Sequence, residues 1–183
     1  ALEGCRRIGL DNPGERPWVK KLLVYVEMDR CAADAIAHVT GTRLGRRSLK
    51  FVDNGIMAAT FVNLETGRAV RIVSRESART LAASKAPHIR DRHRQQLAAY
   101  KTMACEDLFE IQSVQVTVEA CDMPGPTRFR AVCQKCGQMV RDKREVMKNN
   151  RILCRPCAQG TYYTPIENQE QMKNGKEPHV SAV

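Results

Sequence analysis

The stretch CQKCGQMVRDKREVMKNNRILCRPC, residues 133–157, decides the architecture of the carboxy-terminal part of this chain. It holds two Cys-x-x-Cys hooks separated by 17 residues, a spacing typical of a closed tetrahedral zinc site. Gly137 lets the backbone turn after the first hook, so that amides face the sulfurs. Two short strands are predicted, over 138–140 and 151–153. We therefore predict a C4 zinc ribbon over residues 128–160 that binds Zn²⁺ through Cys133, Cys136, Cys154 and Cys157.

The same cysteines would form two disulfides in a secreted module, but no signal peptide is visible and the spacing is that of a metal site. A site with four thiolate ligands has no open coordination position for a substrate. The ribbon is therefore expected to serve folding or docking, not catalysis.

The 183 residues leave room for one ordinary domain upstream of the ribbon, which we place at residues 1–122. Hydrophobic periodicity and turn residues predict alternating strands and helices there, with Asp29 and Ser74 as helix N-caps, Gly41 as a helix stop and Gly67 in a hairpin turn. The predicted strands are 21–28, 49–53, 58–64, 68–73 and 110–119, and the predicted helices are 31–39, 74–81 and 88–104. The expected fold class is α+β, a mainly antiparallel sheet packed with helices.

Composition indicates whether the protein enters a membrane and in which compartment it is expected. Hydrophobic residues make up 43% of the chain, and no apolar run approaches the roughly 18 residues needed to cross a bilayer. Eight cysteines without a secretory signal suggest a reducing compartment, so we expect a cytoplasmic protein with no membrane contact. The polar, proline-containing tail over 164–183 is predicted to be disordered.

The net charge of +10 is concentrated in the ribbon. Residues 128–155 carry nine Lys or Arg against Asp142 and Glu145, a local charge of +7. This excess can balance the zinc thiolate centre, bind nucleic acid or match an acidic protein surface. Aromatic residues that could stack on bases are scarce, with only Phe129 before the array and Tyr162 and Tyr163 after it. We favour a protein partner and keep nucleic acid as the alternative.

Several short motifs occur in a fixed order upstream of the ribbon. They are Asp29-Arg30-Cys31-Ala32-Ala33-Asp34-Ala35, Thr40-Gly41 followed by Leu44-Gly45-Arg46, Asp53-Asn54-Gly55, and Glu106-Asp107-Leu108-Phe109. Together with the C4 ribbon they resemble the formylmethanofuran dehydrogenase E-subunit family, over roughly residues 1–157. The resemblance implies an α+β domain whose genes accompany molybdenum or tungsten formylmethanofuran dehydrogenases, and a protein partner in that oxidoreductase complex.

The resemblance also implies a second metal site. Family members combine an amino-terminal His-Gly-His-x-Cys stretch with the cysteine that corresponds to Cys31. That stretch is absent and Thr42 stands where many members have a cysteine, so we expect an amino-terminally truncated chain whose second metal ion would bind only in the complete protein. Two alternatives for Cys31 stay open: a small buried residue, or a reactive thiol favoured by the helix N-terminus.

No Gly-rich phosphate loop, G-x-S-x-G elbow or H-E-x-x-H motif is present, so the sequence offers no catalytic motif. Three classes of function remain. The first is a zinc-binding accessory protein of molybdenum- or tungsten-dependent one-carbon oxidoreductases, acting on that complex or as a homo-oligomer. The alternatives are a nucleic-acid-binding or regulatory zinc-ribbon protein, and a metal- or thiol-dependent enzyme that uses Cys31. The other candidate residues are expected to be structural or simply exposed: Cys5, Cys105, Cys121, His38, His88 and His93.

Overall fold

The computed structural model describes residues 1–11 and 20–166. Most of the predicted disordered tail lies outside the described residues. The chain divides into two units, Ala1–Pro126 and Thr127–Val183. The domain limits expected from the sequence, 1–122 and 128–160, stay a prediction.

The first unit is built on one five-stranded sheet in the described part of the chain, with the order β2-β1-β3-β4-β5. Strands β1 and β2 are parallel, and the other neighbouring pairs are antiparallel. The predicted mainly antiparallel α+β class is therefore confirmed. The strands are β1 Leu22–Val26, β2 Leu49–Phe51, β3 Ala58–Asn63, β4 Ala69–Ser74 and β5 Phe109–Val114.

The central strands are covered on both faces. All six residues of β3 are buried, and four of the five residues of β1 are buried. One face contributes Val24, Phe61 and Ile72 to the main core cluster, while Leu23 and Val62 belong to a smaller cluster on the other face. Burial on both faces explains why β1 reads as a continuous apolar run instead of an alternating one.

In the described residues, the helices of the first unit are α1 Leu2–Arg7, α2 Cys31–Thr40, α3 Ser77–Lys85, α4 Arg92–Tyr100 and α5 Cys105–Leu108. Gly41 ends α2 at a φ of 69° and Gly67 turns the β3–β4 hairpin at a φ of 71°, as predicted. None of the helices in the described ranges has the length and apolar character required to cross a membrane.

Two predicted helix caps are wrong. Arg30, not Asp29, is the N-cap residue of α2, so Asp29 lies one position too early for its carboxylate to reach the free amides. Ser74 does not start a helix, because it is the last residue of β4 and pairs with Phe109 of β5.

The predicted helix over 88–104 and the strand over 110–119 are both too long. Asp91 caps α4 by accepting the amide of Arg94 at 2.8 Å, and α4 ends at Tyr100, before the separate helix α5. Strand pairing of β5 ends at Val114, although Val116 and Val118 continue to pack on the second core cluster. Alternation of apolar residues therefore continued further along the chain than the hydrogen-bonded ladder.

Over residues 127–166, the second unit contains two antiparallel hairpins followed by a short helix. The strands are β6 Arg130–Val132 with β7 Met139–Arg141, and β8 Val146–Lys148 with β9 Arg151–Leu153; the helix is α6 Arg155–Gln159. The two predicted strands belong to different hairpins, and β6 and β8 were not predicted. Three-residue strands give too short a pattern for sequence periodicity to detect.

Candidate metal centre

The first cysteine hook lies in the turn between β6 and β7, and the second follows the β8–β9 hairpin. Cys133 directly follows β6 and Cys154 directly follows β9. In the first hook, Cys133 N–H donates to the Gln138 carbonyl and Gly137 N–H donates to the Cys133 carbonyl, both at 2.9 Å. A φ of 73° at Gly137 makes this turn possible.

Gln134 joins the two hooks. Its N–H donates to the Ile152 carbonyl at 2.9 Å, and its Oε1 accepts the Ile152 N–H at 2.9 Å. Arg151 adds a hydrogen bond from its guanidinium to the Gln134 carbonyl at 3.0 Å. This network of hydrogen bonds holds the hooks face to face.

The four sulfur atoms meet at one point. The ligand atoms of Cys133, Cys136, Cys154 and Cys157 all lie within 4.8 Å of one another, and Cys136 Sγ lies 3.7 Å from Cys154 Sγ. A tetrahedral ion with Zn–S bonds of about 2.3 Å would place its sulfurs about 3.8 Å apart, so the set fits zinc. The described cysteines are all free thiols, which leaves no support for the disulfide alternative.

The thiols differ in the ease with which they lose a proton. Backbone hydrogen bonds lower the pKa of Cys133 to about 6, and the one from the Cys154 backbone has the largest effect. Hydrogen bonding to the Cys154 side chain, with burial and the other thiols, raises the pKa of Cys157 to about 12. Four neighbouring thiolates repel one another, and a divalent cation removes that repulsion. The donor set therefore suits a cation that takes up thiolates and releases protons.

Apolar support for this centre is small. Cys133 is 1% exposed and packs with Leu153 and Cys154, supported by Val140, Cys157 and Ala158. A cluster of this size buries little apolar surface, so the metal must supply much of the folding free energy.

Asp142 is a structural residue of the ribbon that sequence reasoning missed. Its side chain is buried, and its carboxylate accepts the amides of Arg128 at 2.9 Å and Phe129 at 3.4 Å. It has a φ of 53° in the turn that follows β7, a conformation that Asp tolerates better than most residues. The sequence signal for Asp142 was its position directly after a short strand and before two basic residues.

Cys31 belongs to the first unit, whereas the four zinc-binding cysteines belong to the second. It is exposed at the first position of α2, which contradicts the alternative of a small buried residue. Across residues 1–11 and 20–166, the four ribbon cysteines form the only group of three or more His, Cys, Asp or Glu placed to hold a metal. Thr42, at the family's second cysteine position, is buried and hydrogen-bonds Thr40 Oγ1 at 2.8 Å. A second metal at Cys31 stays a prediction.

The remaining candidates are dispersed. Cys5 and Cys121 are buried, and Cys105 is partly buried. His38, His88 and His93 are exposed and belong to no metal-binding group within the described residues.

A buried ion pair near the start of α2 was also missed. Glu27, 6% exposed, follows β1 and accepts both Nε and Nη2 of Arg71, at 2.6 and 2.8 Å. Its Oε2 also accepts Asn54 Nδ2 at 2.9 Å, which ties the Asp53-Asn54-Gly55 motif to β1. Hydrogen bonding from Arg71 lowers the pKa of the Glu27 carboxyl. A charged residue at the end of an apolar strand was the signal for such a pair.

An apolar cavity of about 490 Å³ lies between α2 and the sheet. Its walls include Ala33, Ile36, Met57, Phe61 and Phe109. The lining is mostly aliphatic and aromatic, and its polar side chains are those of Glu3 and Ser74.

Comparisons with known proteins agree with this geometry. Residues 1–110 match the family described as FmdE, molybdenum formylmethanofuran dehydrogenase operon, and residues 125–163 match the prokaryotic dksA/traR C4-type zinc finger. The crystal structure of an FmdE-like protein of tungsten formylmethanofuran dehydrogenase, from Syntrophus aciditrophicus, is similar in fold. It has a TM-score of 0.50 and 18% identity, and the match covers 82% of this chain and 78% of the other.

A curated relative from Archaeoglobus fulgidus, named a probable S-adenosyl-L-methionine-binding protein, is 24% identical over 175 residues. The match covers 87% of this chain but 46% of the relative, so the chain spans about half the length of that protein. With the family model covering more than half of the chain and a C4 cluster that fits zinc, the chain belongs to the FmdE family and carries a C4-type zinc finger.

Proposed function

We propose that this protein is a zinc-binding accessory protein that docks on a molybdenum- or tungsten-dependent oxidoreductase of one-carbon metabolism. The observation that carries the proposal is the combination, in one chain, of an FmdE domain with a metal centre whose four ligands are all thiols. Such a centre has no open position for substrate, so zinc holds a surface in shape instead of performing chemistry. A rigid surface in the same chain as a family domain associated with a dehydrogenase operon suits assembly with that enzyme.

Two other functions receive weaker support. A nucleic-acid binder would use the basic ribbon, but Phe129 is engaged with the Lys143 ammonium, 4.8 Å from the ring centroid. An enzyme that uses Cys31 would need a neighbouring base or metal, and the described residues place no metal-binding group there. The name of the A. fulgidus relative introduces S-adenosyl-L-methionine, a charged nucleoside to which the mostly apolar cavity beside α2 offers few polar side chains, those of Glu3 and Ser74.

The proposal is tested by purifying the affinity-tagged chain from its source cells under reducing conditions and measuring metals in the eluate. We expect one equivalent of zinc per chain, together with molybdenum or tungsten and a co-eluting oxidoreductase identified by mass spectrometry. A Cys133→Ser/Cys136→Ser variant serves as the control, because it cannot complete the zinc site and should lose the co-eluting metal. Zinc alone in the wild-type eluate would refute the accessory role, as would S-adenosyl-L-methionine binding with no protein partner.

A further inference from the structure

One face of the β6–β7 hairpin presents two arginines and two apolar side chains to solvent. In the register of the hairpin Arg130 lies opposite Arg141, and Val132 lies opposite Met139. Because side chains alternate along a strand, these four share one face, while the Ala131–Val140 pair is half-buried on the other. Val132 is 51% exposed and Met139 is 47% exposed. We call this surface, Arg130, Val132, Met139 and Arg141, the hairpin face.

Backbone hydrogen bonds place its cross-strand neighbours close together. Asp142 N–H donates to the Phe129 carbonyl at 2.8 Å and Cys133 N–H donates to the Gln138 carbonyl at 2.9 Å. Since hydrogen-bonded and non-bonded pairs alternate in an antiparallel ladder, the Arg130–Arg141 pair is of the non-bonded type. Their Cα atoms then lie about 4.5 Å apart, the closer of the two cross-strand spacings. Like charges directly opposite each other destabilise a hairpin.

The second hairpin provides an internal comparison. Lys148 and Arg151 are also directly opposite each other, but both have structural partners in the ribbon. Lys148 Nζ donates to the Ala158 carbonyl at the end of α6, and Arg151 donates to the Gln134 carbonyl, both at 3.0 Å. Across the part of the chain that the structure describes, no hydrogen bond or ion pair engages the guanidinium of Arg130 or Arg141. Among the described residues, Lys148 and Arg151 therefore have hydrogen-bond partners within the ribbon, whereas the guanidinium groups of Arg130 and Arg141 have none.

We propose that the hairpin face is the docking surface, and that it binds an acidic protein surface in which paired carboxylates flank an apolar side chain. Two adjacent guanidinium groups match two carboxylates, and the exposed Val132–Met139 pair gives the apolar side chain a surface to cover. Nucleic acid is the poorer match, because aliphatic side chains do not stack on bases and a phosphate placed against them would lose hydration without gaining a hydrogen-bond partner. The identity of the partner as an oxidoreductase rests on the function proposed above, whereas its surface chemistry rests on the hairpin alone.

The test compares three variants of the full-length zinc-loaded chain, each first shown to bind one equivalent of zinc. Arg130→Glu/Arg141→Glu reverses the basic pair, and Val132→Ser/Met139→Ser removes the apolar pair. The matched control is Arg92→Glu/Arg94→Glu, which makes the same change in net charge at exposed positions in the first turn of α4, where acidic side chains are favoured. Affinity for the protein partner recovered from source cells is measured by calorimetry, and a 20-base-pair DNA duplex and a 20-nucleotide RNA are titrated in parallel.

We expect the charge reversal to weaken partner binding at least about tenfold, because an electrostatically matched contact becomes repulsive. The serine pair should also weaken binding, and the control should change it less than about threefold. The proposal is overturned if the control loses as much affinity as the reversal, if the reversal has no effect, or if no partner is recovered. Nucleic-acid binding tighter than the non-specific limit of about 1 μM, lost in the reversal, would also overturn it. A partner without molybdenum or tungsten that still requires the hairpin face would refute the proposed function and leave this inference intact.

Discussion

Replacing Glu27 by Gln should destabilise the first unit by about 2 kcal/mol at pH 7. The substitution keeps the shape of the side chain but removes the charge that faces Arg71 at 2.6 and 2.8 Å. Breaking a fully buried ion pair costs about 3–5 kcal/mol, because the remaining charge is left without a partner. The Arg71 side chain is 26% exposed, so water compensates part of that loss and we expect a smaller cost, about 2 kcal/mol.

The pH dependence distinguishes this mechanism from a simple packing defect. The pKa of Glu27 is lowered in the folded protein by the Arg71 hydrogen bonds, from an ordinary value of 4.5. The charge therefore stabilises the fold above about pH 4.5, and this contribution is lost as the pH falls through the lower pKa of the folded state. The difference between wild type and Glu27→Gln should therefore shrink steadily as the pH falls below about 4.5.

The assay is thermal and urea unfolding of the chain at several pH values, in which circular dichroism follows the transition of the first unit. For a unit of this size, 2 kcal/mol corresponds to a fall in Tm of about 8 °C. Glu65→Gln is the matched control, since Glu65 pairs with Lys21 at 2.7 Å but is 54% exposed, and it should cost less than about 0.5 kcal/mol. A Glu27→Gln protein as stable as the control variant, or a deficit that persists unchanged at pH 3, would refute the reasoning.

Three further predictions concern the zinc centre, the core and the exposed thiol. Cys133→Ser should abolish zinc binding and make the ribbon sensitive to trypsin, because structural zinc supplies about 10 kcal/mol or more of folding free energy. The first unit should keep its unfolding transition. Zinc analysis and limited proteolysis measure both effects, and a protease-resistant variant with full zinc would contradict the prediction. Gly4→Ala should cost about 1–3 kcal/mol in urea unfolding, because the new Cβ would lie 2.6 Å from the Phe61 ring; an unchanged midpoint would show that the ring moves freely. Cys31 should react with iodoacetamide roughly a hundredfold faster than Cys5, which is buried and whose pKa is raised to about 11. Mass spectrometry of the alkylated peptides measures the ratio of the two rates. Equal rates would show that the Cys31 thiol is no more accessible than that of Cys5.

The zinc centre was largely predictable because its determinants are local. Each hook spans four residues, and the turn after the first hook depends on the single positive φ of Gly137. Zinc chemistry then fixes how the two hooks meet, since four thiolates can surround one ion in only a few ways. The helix end at Gly41 and the hairpin turn at Gly67 were predictable for the same reason, because the steric freedom of glycine acts within its own residue.

Features that depend on distant pairing could not be obtained in this way. Glu27 acquires its role from Arg71 and Asn54, which are 44 and 27 residues away. The ends of helices shifted where a strand ladder competed for the same backbone groups, as at Ser74. In each case the free energy comes from a contact whose partner is known only after the chain has folded.

The basic ribbon shows most clearly which properties follow from the sequence and which require the tertiary structure. The sequence alone determined its charge of +7 and its capacity for zinc, because both follow from residue type and spacing. Only the tertiary structure decided that Lys148 and Arg151 are occupied with backbone carbonyls while Arg130 and Arg141 face solvent beside Val132 and Met139. Strand register makes that choice: a shift of one residue would turn every one of these side chains to the opposite face.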